Sequence, residues 1–255
     1  MKKRRVFLVC FLLAMVLVGR YAAAAERITT ITVGKDGATV GFLEGTATVF
    51  PDGKTEGRLL KAGDVLRSGD QVSTGAKAKL EITLPDKSLL RFADNSRFKI
   101  MKIEAPGEAK GGDVKVHMAV GRAWANVSKT VSGKKNFELT CENAVAGVRG
   151  TVYRMNVNED KSALVRVYDG TVYVAGGGNT GEQPAVVGPP RPVAGPKPVP
   201  GPRKVTMEEW TYIIKAMQQI RISGDGAAEK PRDFTEKEDR DAWVEWNKSR
   251  DSESR

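Results

Sequence analysis

From about Thr29 to Ala175 the chain keeps alternating apolar and polar residues, and this period of two restricts its fold more than any other feature. Leu80, Ile82 and Leu84 alternate with Glu81 and Thr83. Val114, Val116, Met118 and Val120 alternate with Lys115, His117 and Ala119, and Tyr153, Met155 and Val157 with Arg154 and Asn156. Turn-forming residues separate these runs: Pro85-Asp86, Asp94-Asn95, Gly111-Gly112, Asn158-Glu159-Asp160 and Asp169-Gly170. No helical pattern intervenes, so the zone is expected to be all-β, an antiparallel sandwich or barrel. At roughly 145 residues it is long enough to bury a core.

The N-terminus has a different character. Lys2, Lys3, Arg4 and Arg5 precede an apolar run from Val6 to Gly19, which leads to Ala22-Ala23-Ala24-Ala25. A basic start, a short apolar core and an A-x-A exit predict a secretory signal peptide over residues 1–25, cleaved after Ala24 or Ala25. The alternative is an uncleaved anchor, but a span needs about 20 apolar residues, so no stable membrane span is expected after cleavage. Cys10 sits inside the apolar core without small residues before it, so a lipid-modified start is not expected. Removing the signal takes away Lys2, Lys3, Arg4, Arg5 and Arg20 and no acid, reducing the net charge from +10 to +5. The remaining Lys and Arg are scattered among Asp and Glu, which is not the one-faced pattern of a nucleic-acid binder. Export argues further against a nucleic-acid partner and for a periplasmic or otherwise exported protein. Cys141 is then left alone, in step with Phe137 and Leu139, and reads as a buried small hydrophobe.

After the β zone, residues 176–203 are rich in Gly and then Pro, with eight prolines between Pro184 and Pro202. Proline removes backbone donors and fixes φ, so this stretch is expected to be a semi-rigid linker. Residues 204–255 are expected to form a short helical tail. Thr206 and Glu209 match a capping box, with Val205 and Trp210 as its hydrophobic staple, and Trp210, Ile213, Ile214, Met217 and Ile220 mark one helical stripe. Thr235 and Glu238 repeat the capping pattern ahead of Trp243 and Trp246. A lone helix of about 15 residues is marginal in water, so the apolar stripe is expected to fold back on the β domain. The tail tryptophans Trp210, Trp243 and Trp246 are either docking residues of that kind or contacts for a protein or sugar partner.

Three stretches of the β zone carry a resemblance. They are Gly63-Asp64-Val65-Leu66-Arg67-Ser68-Gly69-Asp70, then Pro85-Asp86-Lys87-Ser88-Leu89-Leu90-Arg91-Phe92, and Ala144-Val145-Ala146-Gly147-Val148-Arg149-Gly150-Thr151 with Asp169-Gly170-Thr171-Val172-Tyr173-Val174 after it. In this order and spacing they resemble the FecR domain family. The resemblance implies a jelly-roll-like β-sandwich outside the cytoplasm. In the best-known members that domain relays an outer-membrane uptake signal to a cytoplasmic sigma factor. Those members carry a cytosolic helical segment and a membrane span before the domain, where this chain is expected to have a signal peptide. The sensing or interaction role is therefore the part that carries over. Read from the residues alone, Gly63, Gly69, Gly147 and Gly150 supply tight corners, Asp64 and Asp70 bond turn amides, and Arg149 is either a structural ion pair or a partner contact.

No pattern in the chain points to catalysis. The single His117 shares a strand face with Lys115 and reads as a solvated side chain; one His with one Cys cannot build a structural zinc site, and no nucleophile elbow accompanies it. Gly176-Gly177-Gly178-Asn179-Thr180-Gly181 matches G-x-G-x-x-G but leads into prolines rather than a helix. No catalytic, cofactor-binding or metal-ligating residues are expected, and no cofactor. The expected function is a non-enzymatic periplasmic binding or interaction module, with the sensing part of envelope signalling as one such role and an envelope protein as partner. The alternative is a structural envelope protein associated with cell-wall polysaccharide.

Overall fold

The structure, a computed structural model of the chain, describes residues 37–105, 112–129, 136–148, 150–176 and 210–253. The strands in chain order are β1 (Ala38–Glu44), β2 (Ala47–Phe50), β3 (Arg58–Leu59), β4 (Val65–Leu66), β5 (Gln71–Thr74), β6 (Lys79–Thr83), β7 (Leu89–Phe92), β8 (Arg97–Glu104) and β9 (Asp113–Asn126). They continue with β10 (Asn136–Thr140), β11 (Ala144–Val148), β12 (Val152–Val157), β13 (Ala163–Asp169), β14 (Thr171–Gly176), β15 (Thr211–Lys215), β16 (Gln218–Ile222) and β17 (Arg232–Asp233), and helix α1 (Ala242–Glu253) closes the described chain.

These strands form a jelly-roll-like sandwich of two layers. One layer runs β4-β1-β6-β7-β9-β12-β13-β16-β17 and the other β3-β2-β5-β8-β9-β10-β11-β14-β15. Every pairing is antiparallel except β9 with β10. The strand β9 belongs to both layers: its first half pairs with β8 and β10, and its second half, from Gly121 to Asn126, with β7 and β12. The bend falls at Gly121, which has φ 115° and would place a Cβ 2.5 Å from the Cα of Ser96. Only glycine satisfies both conditions.

The alternation read from the sequence fills the space between the layers. Leu80, Ile82, Val116, Met118, Tyr153 and Met155 are all fully buried in one core cluster. Cys141 is buried there as a free thiol, and burial pushes it above its usual range. Gly63, Gly69 and Gly150 take positive φ, whereas Gly147 lies within β11 and does not. Asp64 and Asp70 accept backbone hydrogen bonds from Lys61 and Arg67, as turn aspartates do.

The largest departure from expectation is the tail. Trp210, Ile213, Ile214, Met217 and Ile220 do not form a helix. Trp210 directly precedes β15, and the others belong to β15, β16 and the corner between them, where Met217 has φ 63°. Strand β15 extends one layer beside β14 and β16 extends the other beside β13, so Ile214, Ile220 and Ile222 enter the main core. The residues Thr211, Ile213, Ile214, Ile220 and Ile222 are β-branched, and β13 and β14 each offer a free edge. Tertiary pairing therefore outweighs the helical spacing. Thr206 and Glu209, and the prolines from Pro184 to Pro202, lie outside the described residues.

Helix α1 does form in the tail. Thr235 and Glu238 make the reciprocal capping-box bonds at 3.0 and 3.3 Å. That box closes only a turn; the helix itself starts after Asp241, whose carboxylate accepts the N–H of Val244 at 2.8 Å.

Candidate functional site

The polar side of the β4-to-β17 layer holds an unusual row. Cross-strand register places Phe42, Glu81, Arg91, Trp124, Arg154, Arg166, Gln219 and Arg232 side by side on eight successive strands. Alternation points this row away from the core, toward what the sequence alone would assign to water. Yet Arg91 and Gln219 are fully buried, and Glu81, Trp124, Arg154 and Arg166 nearly so. The cover is the last part of the chain, Phe234 to Glu253.

The cover binds the row at two places. At one, Arg91 donates from Nε to Glu81 at 2.6 Å and from Nη1 to Asp251 at 2.6 Å and to the carbonyl of Asn247 at 3.3 Å. Arg250 reaches the same Glu81 carboxylate from Nε and Nη2 at 3.0 and 2.8 Å, and Trp124 donates its indole N–H to Asp251 at 2.9 Å. Burial pushes the Glu81 carboxyl up, but bonds from Arg250 and Arg91 outweigh it and hold the group below its usual value. At the other, Arg154, Arg166 and the Tyr168 hydroxyl all donate to the buried Asp239. Arg166 is further held by Gln219 at 2.6 Å. Tyr168 lies two residues beyond Arg166 on β13 and so shares its outward face, where its ring stacks on Trp124 at 4.5 Å. Burial pushes the Tyr168 hydroxyl above its usual range, so it stays a donor at neutral pH.

Aromatic side chains close the seam. Trp243 is buried and stacks on the half-buried Trp246 at 5.2 Å; Trp246 also meets Phe42 at 5.7 Å. The guanidinium groups of Arg91 and Arg250 lie 5.9 and 5.6 Å from the Trp246 ring, and that of Arg122 lies 5.8 Å from Trp243. Beside α1 an open cleft of about 800 Å³ runs along the sheet, with Trp124 and Tyr168 on its wall and Lys87, Lys129 and Lys248 around it.

Of the candidate residues, the structure brings Trp243 and Trp246 together at this seam. Trp210 takes no part in it: it packs against the main core and donates to the carbonyl of Gly226 at 3.0 Å. Arg149 lies outside the described residues. His117 is half-buried, bonded to Thr140 at 3.1 Å, and held below its usual range by burial. Sequence reasoning missed Glu81, Arg91, Arg154, Arg166, Asp239 and Asp251. The available signal was the excess of arginine at outward positions of otherwise core-forming strands. Among the described residues no His, Cys, Asp and Glu group is arranged to hold a metal ion, and no helix is long and apolar enough to cross a membrane.

The two-layer β-sandwich thus carries a charged outer face covered by residues 234–253. Residues 70–173 match the family described as FecR protein. No curated protein matches the sequence. Two crystal structures of a protein from Parabacteroides distasonis, described provisionally as an anti-sigma factor, are similar to the chain at 16% identity with a TM-score of 0.43. The similarity covers 64% of this chain and 59% of theirs, so the chain spans less than two thirds of the length of those proteins.

Proposed function

We propose that the protein is an exported, non-catalytic interaction module that takes part in envelope signalling by binding another envelope protein. The observation that carries this reading is the FecR domain over residues 70–173, a domain type that regulates rather than catalyses. The seam on the outer face of the sandwich supports it, because arginine and tryptophan are the residues that dominate protein recognition. Placement in the periplasm rests on the basic start and the Ala22 to Ala25 exit of the N-terminus.

Expression of the full chain in a Gram-negative host tests both parts. The periplasmic fraction is expected to hold a chain starting at Ala25 or Glu26, and chemical cross-linking in the envelope is expected to trap one discrete protein. A chain that stays in the cytoplasm with Met1 in place contradicts export. Sedimentation with peptidoglycan and no discrete cross-linked protein contradicts the signalling role.

A further inference from the structure

The buried part of the row on the outer sheet face carries Arg91, Arg154 and Arg166 against one carboxylate, Glu81. Its balance comes from the C-terminal segment, through Asp239 and Asp251. A seam built for stability alone has no need of this chemistry. Well-packed apolar residues of similar volume are as stabilising as buried ion pairs, or more so, because the ions lose their hydration. What a charged seam has that an apolar one lacks is two halves that each remain soluble when apart.

The seam is also incompletely satisfied. Arg91 Nη2, Arg154 Nε, Gln219 Nε2, Trp243 Nε1 and Asn247 Oδ1 are buried with no hydrogen-bond partner among the described residues. A half-satisfied polar network holds weakly for its size, and a competing segment with one more acceptor gains what α1 leaves unmade. Helix α1 has little to hold it otherwise: it is 12 residues long, buries only Trp243, Val244 and Asn247, and on its own would be marginal in water.

We infer that the outer face around Arg91, Arg154 and Arg166 is a recognition surface for an acidic, tryptophan-bearing segment of a partner protein, and that residues 234–253 occupy it in cis as a displaceable cover. The partner segment carries two carboxylates at the positions of Asp239 and Asp251 and an aromatic pair between them, as Trp243 and Trp246 are placed. This rests on the reading of the protein as an interaction module and specifies the face that binds.

The chain's own segment is the probe. A fluorescent synthetic peptide of residues 234–253 is titrated into the full chain and into the full chain carrying Asp239→Asn and Asp251→Asn, which loosens the cover. The doubly substituted chain is expected to bind the peptide at least ten-fold more tightly than the unsubstituted chain. A peptide carrying the same two substitutions is expected to lose that binding. Equal binding of both peptides by a substituted chain that keeps its strand spectrum and cooperative melt overturns the inference. Hydrogen exchange on the unsubstituted chain gives a second measurement that needs no variant. Amides of Val244 to Arg250 are expected to exchange through an opening that leaves β12 and β13 protected; protection equal to that of those strands overturns the cover's displaceability. Neither measurement uses an envelope extract, so failure to find a cellular partner is distinguishable from failure of this inference.

Discussion

Arg154 and Arg166, directly opposite each other on β12 and β13, share one buried carboxylate, that of Asp239. Two guanidinium groups side by side repel, and both are almost fully out of water. Asp239→Asn removes the charge that offsets them while keeping the shape. The expected loss is about 3–5 kcal/mol, the usual cost of leaving a buried charge without its partner. In a domain of this size that lowers the melting temperature by roughly 10 °C, read by circular dichroism. A shift of less than about 2 °C would show that the arginines reach water despite their burial.

Tyr153 makes the opposite prediction. Its ring is fully buried in the main core, and its hydroxyl has no hydrogen-bond partner among the described residues. Burial pushes that hydroxyl above its usual range. Tyr153→Phe deletes a polar atom whose hydration was lost without compensation, so it is expected to stabilise the protein by about 1 kcal/mol. Urea denaturation measures the change, with the midpoint rising and the slope unaltered.

Glu81 sets an acid limit on the seam. Its folded pKa lies below the unfolded value of 4.5 because Arg250 and Arg91 hold the ionised form against the cost of burial. The stability it contributes is therefore fully present above about pH 4.5 and is lost as pH falls through the folded pKa. His117 acts higher on the scale: burial holds it below 6.5, so charging it costs stability as pH drops below that value. A plot of unfolding free energy against pH is expected to fall in two stages, one beginning below pH 6.5 and one below pH 4.5. Glu81→Gln should shrink the lower stage, to which Asp64, Asp160 and Asp225 also contribute, and leave the upper one.

Gly121 joins the layers, and its replacement tests the bend in β9. Alanine there meets both a left-handed backbone and the Cα of Ser96 at 2.5 Å. Gly121→Ala is expected to cost about 2 kcal/mol or more by denaturant unfolding. A neutral effect would mean that β9 does not carry this corner.

Much of this fold was legible from one residue in two. The inward sets Leu80 and Ile82, Val116 and Met118, and Tyr153 and Met155 follow directly from alternation, as do the turn aspartates Asp64 and Asp70. The capping box at Thr235 and Glu238 was legible too, because both of its bonds are local. The stretch from Trp210 to Ile220 was not. Its apolar residues fit a helical period, and only the free edges of β13 and β14, far away in sequence, select strands. The arginine row was hidden for a related reason. Alternation says which way Arg91 and Arg154 point, but not that a segment 160 residues beyond Arg91 will cover it. Long-range cover turns apparent surface positions into interior ones, and no local pattern reports that.

Helix α1 is bound to the arginine row through Arg91 and Asp251, paired at 2.6 Å. A double-mutant cycle of Arg91→Met, Asp251→Asn and the pair, followed by denaturant unfolding of the full chain, tests that contact directly. The two substitutions together are expected to cost less than their sum by about 2 kcal/mol, the coupling of a partly buried ion pair in a shared network. Effects that add to within about 0.5 kcal/mol would contradict it, because residues that do not touch behave independently.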